Sequence, residues 1–186
     1  MKLLVLVHEN FNDMELTTVL SVLNKSKEFE TVVYFNPNLK IATGQHGVVT
    51  LNLVNDVNYD DFDAIFIPGG QGAKLLRNDP TSIEIIKRFK EKNKYIFAIC
   101  DAPNVLYENG IIDNQIVYSS YPIPNIEHSS GALRSKAFAC VQGKMFTGKC
   151  PAAALTLGLA IIKILFGEAK FEVVKKDLYG EHEPIL

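Results

Sequence analysis

Three short apolar runs, each broken by polar or glycine-rich residues before a helical pattern begins, set the terms on which this chain can fold. Residues 3–7 (LLVLV), 63–67 (DAIFI) and 95–99 (YIFAI) lack the apolar–polar alternation of a strand with one wet face. A strand covered on both faces has no use for that alternation, so the runs imply parallel strands between two layers of helix. Asn12-Asp13 offers caps for a helix carrying Met14, Leu16, Val19, Leu20 and Leu23. Asp79-Pro80 opens another, with Ile83, Ile85, Ile86 and Phe89, and places proline where its missing N–H costs nothing. A second strand fits residues 31–35, and a hairpin-like excursion fits 39–53 around Gly44 and Gly47. Residues 137–141 and 144–147 read as two strands joined at Gln142-Gly143, followed by a helix over 151–166 that stops at Gly167. Alternating strands and helices of this kind make an α/β fold with a mostly parallel central sheet.

The 186 residues fit one domain spanning 1–186, able to bury a core without staples. A formal charge of −2 gives no footprint for nucleic acid or an anionic membrane, and neither is expected as a partner. Three cysteines, with no CxxC, form neither a disulfide framework nor a zinc site, so no metal and no cofactor are expected. The apolar run at the N-terminus is shorter than the ~7–15 residues of a secretory segment. The apolar stretch 151–166 falls short of the ~20 residues that span a bilayer. The expected location is cytoplasmic.

Ligands of open α/β sheets sit at the carboxyl ends of the strands. Segments 8–12, 68–72, 100–103 and 148–151 all fall there, and together they bring an acid, a glycine pair and two thiols. Within F-A-I-C-D-A-P, residues 97–103, Cys100 stands where a buried strand becomes a helix. A tight turn of that kind pushes the side chain out of the sheet and strains its backbone. A thiol facing the amino end of the next helix is expected to have a lowered pKa. The alternative is a buried structural cysteine. Pro68-Gly69-Gly70 can present backbone N–H groups to an oxyanion, or be merely a turn. Glu15, in the first turn of its helix, either favours the dipole from the surface or points into the cleft toward the sulfur.

The order and spacing of N-D-M-E-L at 12–16, D-A-I-F-I-P-G-G at 63–70, A-I-C-D-A-P at 98–103, Tyr121-Pro122 and T-G-K-C-P at 147–151 resemble the DJ-1/ThiJ/PfpI superfamily over nearly the whole chain. The resemblance implies a flavodoxin-like three-layer sandwich, a homodimer, and a nucleophile-elbow cysteine paired with a protonated glutamate. Cys100 matches the cysteine and Glu15 the glutamate. Gly70 and the amide of Asp101 match the family's backbone donors, and Gly69, His46, Tyr121, Cys150 and Pro151 fall at pocket positions. The chain departs from the pattern at two places. Asp101 stands where the protease-like branch has a histidine, and Tyr121 where the dimeric branch often has one. His46 or His8 could substitute as a base, or be structural, while His128 and His182 read as surface residues. A glutamine amidotransferase is disfavoured because His182 and Glu183 are adjacent rather than spaced as His-x-Glu. The resemblance implies action on small 2-oxoaldehydes, glyoxalase- or deglycase-like, through a Cys100 thiolate with Glu15 carrying the proton. The alternative is a non-enzymatic thiol sensor or chaperone in oxidative stress, since a low-pKa thiol beside a carboxyl is open to oxidation. Surplus apolar residues on the first helix (Leu16, Val19, Leu20, Leu23) suggest a dimer face, with Lys25 reaching toward the partner. Cys140, mid-strand, is expected to be inert. Cys150 would narrow the pocket and could resolve a sulfenic acid on Cys100.

Overall fold

In the computed structural model, which describes residues 1–123 and 131–180, a six-stranded sheet lies between two helical layers. The strands are β1 (Lys2–Leu6), β2 (Thr31–Phe35), β5 (Ala64–Ile67), β6 (Tyr95–Ile99), β9 (Ala139–Gln142) and β10 (Met145–Gly148). Their order is β2-β1-β5-β6-β10-β9, parallel except for the antiparallel edge strand β9. The short pair β3 (Ile41–Thr43) and β4 (Thr50–Asn52) forms the expected hairpin. A two-stranded ribbon of β7 (Tyr118–Ser119) and β8 (Arg134–Ser135) was not legible in the sequence.

The unbroken apolar runs are explained by which way alternate residues point. From β1 and the residue that follows it, Leu3, Val5 and Val7 enter one core, and Leu4 and Leu6 enter the other. Helices α1 (Asp13–Ser26) and α5 (Ala154–Tyr179) cover the first face. Helices α2 (Gly72–Arg77), α3 (Pro80–Glu91) and α4 (Ala102–Glu108) cover the second. Both anticipated caps are present: Asn12 Oδ1 accepts from Glu15 N, and Asp79 Oδ1 accepts from Ser82 N.

One sequence expectation is narrowed here. Of the four apolar residues read as a surplus face on the first helix, Leu16, Val19 and Leu23 are buried within the chain and Leu20 is half-buried. Lys25 pairs with Asp177 of the same chain. Gly167 does break the last helix, with φ 85 and ψ 171, but helix resumes beyond it to Tyr179. The stretch Pro151–Tyr179 is therefore long and apolar enough by length to cross a membrane, yet its first half packs in the core beneath the sheet. The resumed half is tied back through Lys170 to Glu28 and Asp177 to Lys25.

Helices α1 and α5 pack closely at Gly158, where a Cβ would sit 2.8 Å from that of Val22. Gly158→Val should therefore lower the unfolding free energy by about 1–3 kcal/mol through overpacking. The check is the urea midpoint; an unchanged midpoint would show that the helices have room.

Candidate functional site

The carboxyl ends of β1, β5, β6 and β10 converge, and backbone bonds lock them together. Cys100 N donates to Gly148 O at 2.9 Å, and Asn12 N donates to Gly69 O at 3.2 Å. Cys100 has φ 64, a left-handed conformation that a side chain bearing a Cβ adopts only under constraint. Its carbonyl accepts from Tyr121 N at 2.7 Å, which pins the strained turn to the segment following β7. Asn104 on α4 strengthens the tie, donating through Nδ2 both to Tyr121 O and to Asp101 Oδ1, each at 3.0 Å.

Glu15 lies beneath the sulfur with no solvent exposure. Gly69 N donates to its Oε2 at 2.7 Å, while Oε1 is buried without a hydrogen-bond partner of its own. Gly69 has to be glycine, because a Cβ there would meet Ile99 O, the Cys100 Cβ and Glu15 Oε2 within 2.9 Å. Burial pushes the Glu15 carboxyl up to about 7, and the charge of Asp101 adds to the rise. Contact with Cys100 and the Gly69 N–H pull the other way.

The thiol does not behave as expected from its place before a helix. Burial first, and then the Glu15 carboxyl beside it, push Cys100 well above the usual thiol range. The amides of Gly70 and Asp101 face the sulfur and oppose this, as oxyanion donors would, but they do not win. Cysteine and glutamate are thus a coupled pair. Of the two, the carboxyl is the one raised only to about 7, which makes Glu15 the group placed to take the thiol proton when the sulfur attacks.

Asp101 is not a free base. Both its oxygens accept from Arg77, at 2.6 and 2.7 Å, and Arg77 also binds Glu108 at 2.8 and 3.1 Å. The fork holds α2 against α4 and neutralises the carboxylate next to the nucleophile.

Above the sulfur opens a cleft of about 330 Å³. Gly70, Cys100, Asp101, Tyr121 and Pro151 line it, as expected. Cys150 does not line it; the wall is Pro151, and Cys150 sits partly buried behind as the cap of the following turn. Gly69 lies below, against Glu15. His46 is turned to Gln45, with Nε2 to Nε2 at 3.0 Å, and Gln45 rather than His46 reaches the cleft. The loop is held there by Asp13, whose carboxylate accepts from the N–H groups of His46, Val48 and Val49. His8 bonds Asp79 at 3.0 Å and is away from the cleft, and burial holds its pKa below the ordinary imidazole value. No imidazole lines the cleft among the described residues, and His128 and His182 lie outside them. Cys140 accepts from Ser119 Oγ at 3.2 Å, within the sheet edge. Sequence reasoning missed Asn12, Gln45, Gln71, Lys74 and Ile123 as cleft residues, and the Arg77 fork. Gln71, Lys74 and Arg77 are spaced by three, but that spacing carries meaning only once the glycine-rich segment is known to start a helix.

A sequence model of the DJ-1/PfpI family matches residues 1–164. The chain is 41% identical over 182 residues to the Mycoplasma genitalium protein MG029, covering 96% of each. It is 29% identical over 167 residues to a Thermococcus kodakarensis protein named deglycase TK1284, covering 89% of this chain and 99% of that one. Among solved structures, oxidized Toxoplasma gondii DJ-1 superposes with a TM-score of 0.79 at 24% identity, covering 97% of this chain and 99% of the other.

The state of Glu15 can be read from stability. Its folded pKa of about 7 lies above the ordinary 4.5, so the neutral form is favoured by folding. Below pH 4.5 both states are protonated; through the window up to about 7 only the unfolded state ionises freely, and above it the penalty is constant. Wild type should therefore lose a few kcal/mol relative to Glu15→Gln as pH rises across that window. Parallel pH profiles for the two proteins would show that Glu15 titrates normally.

Proposed function

The chain belongs to the DJ-1/PfpI family, and we propose that within it this protein is a cysteine-dependent enzyme acting on small 2-oxoaldehydes. The observation that carries the reading is the fully buried Glu15, with a pKa of about 7, held against a strained Cys100 at the floor of a cleft. A base with a pKa near the working pH is in the range where proton transfer is most effective. The deglycase name of the Thermococcus relative supports an enzymatic reading.

The chemistry follows from the positions. Glu15 carboxylate takes the thiol proton as sulfur adds to the aldehyde carbon, forming a carbon–sulfur bond and an alkoxide. The Gly70 and Asp101 amides, already facing the sulfur, stabilise that oxyanion until Glu15 returns the proton to it as a hemithioacetal. Glu15 then removes the hydrogen from the first carbon and delivers it to the second. The hydroxyl proton passes to the second oxygen, leaving a thioester of a 2-hydroxy acid. Water cleaves the thioester, releasing the acid and restoring the thiol. No external oxidant or reductant enters, since one carbon is oxidised as its neighbour is reduced.

A second reading, a thiol sensor, draws on the absence of any imidazole lining the cleft among the described residues. Two equivalents of peroxide would carry the sulfur to sulfinic acid with loss of two waters, and no second base is needed.

Methylglyoxal conversion to lactate, followed for wild type, Cys100→Ser and Glu15→Gln, separates the readings. The rate should rise with pH through about 7 as Glu15 becomes a base. Cys100→Ser should abolish turnover, and Glu15→Gln should slow it by roughly 10²-fold or more. Turnover that survives in Cys100→Ser would refute the enzymatic reading. A wild type inert toward the aldehyde, but gaining two oxygens at Cys100 under mild peroxide, would favour the sensor.

A further inference from the structure

The charge distribution around the cleft is uneven. Asp101 contributes a carboxylate to the lining, but both its oxygens are committed to Arg77. Asn12, Gln45 and Gln71 bring neutral amides. Lys74 brings a cation, exposed on the cleft rim, and none of the ion pairs among the described residues includes it. Glu15 lies at the opposite end, sealed beneath the sulfur. The cleft is therefore polarised, with the nucleophile on its floor and an uncompensated positive charge at its mouth.

The walls differ as well. Gln71 and Lys74 are three residues apart at the start of α2 and share one side of it, while Tyr121, Ile123 and Pro151 supply apolar surface. A volume of about 330 Å³ is at the small end of ligand cavities but roomier than a three-carbon dicarbonyl needs. Lys74 and Cys100 line the same cleft.

We propose that the cleft selects carbonyl compounds bearing an anionic group, with Lys74 binding the anion while the carbonyl meets Cys100. Resting on the reading above, the substrate class is a 2-oxoaldehyde with a short aliphatic arm ending in a carboxylate. The arm lies along Tyr121 and Pro151. Lys74 touches no reacting atom, so it determines specificity rather than catalysis.

The test separates the anion preference from the enzymatic reading by using two alkylating probes at Cys100. Iodoacetamide is neutral and iodoacetate anionic; with either, sulfur displaces iodide and the thiol proton passes to Glu15 or to solvent. Labelling of Cys100 is followed by mass spectrometry in wild type, Lys74→Met and Lys74→Glu. The rate with iodoacetamide is each protein's own reference. The iodoacetate-to-iodoacetamide ratio should fall about fivefold in Lys74→Met and further in Lys74→Glu, and added salt should compress the differences. A ratio indifferent to residue 74, or a loss of rate shared equally by both probes, would overturn the assignment. A parallel arm compares 4,5-dioxopentanoate with methylglyoxal as substrates. Wild type should prefer the carboxylate-bearing compound about fivefold in kcat/KM, and Lys74→Met should lose that preference. Equal turnover of the two would defeat the substrate assignment and leave the enzymatic reading standing. Turnover of neither would defeat the enzymatic reading, while the alkylation ratio would still decide what Lys74 does.

Discussion

A carboxyl group sealed from solvent beside a sulfur is the constraint on which the rest of the site depends. Burying Glu15 as a bare carboxylate would be costly, and its one hydrogen bond from Gly69 does not offset that cost. The geometry therefore keeps a proton in play between Glu15 and Cys100. Every neighbouring feature serves that closeness. Gly69 lets the Ile99 carbonyl, the Cys100 Cβ and the Glu15 carboxylate crowd in where no side chain would fit. Cys100 takes a left-handed conformation so that its sulfur leaves the sheet and reaches the carboxyl. Tyr121 N and Gly148 O hold the backbone on either side of that strain.

Electrostatics around the pair are divided by depth. A second carboxylate directly after the nucleophile would repel both the thiolate and a developing oxyanion. The Arg77 fork absorbs that charge and, by bridging to Glu108, uses it to join α2 to α4. What remains of the Asp101 field helps to keep Glu15 protonated. The same helix that supplies Arg77 supplies Lys74 to the rim, so one short element both quiets the charge at the floor and sets the charge at the mouth.

How much of this was legible in the sequence depended on distance along the chain. The β1, β5 and β6 runs announced themselves because residues covered on both faces have no polar alternation. The caps at Asn12 and Asp79 were visible because capping is local. Cys100, Glu15, Gly69, Gly70 and Asp101 could be singled out because strand ends converge in such folds and because of the family resemblance, and the structure brings them together. The direction of the thiol shift was misjudged, since a helix end is a local feature while burial against Glu15 is a tertiary one. Helix α2 was hidden by the glycines that begin it, and with it went Lys74 and Arg77. His46 stood between a substitute base and a loop histidine until Asp13, over thirty residues away, was seen to fix its loop with Gln45 facing inward.

The central claim is that Glu15, not Cys100, gives up the shared proton first. Infrared titration of the carboxylic acid carbonyl band, assigned by its absence in Glu15→Gln, reads this without reference to any substrate, with ultraviolet thiolate absorbance recorded alongside. The account predicts that the band disappears with a midpoint of about 7, and that no Cys100 thiolate absorbance accompanies the loss. A band that persists well above neutral pH while thiolate absorbance rises would place the proton on the glutamate and contradict it.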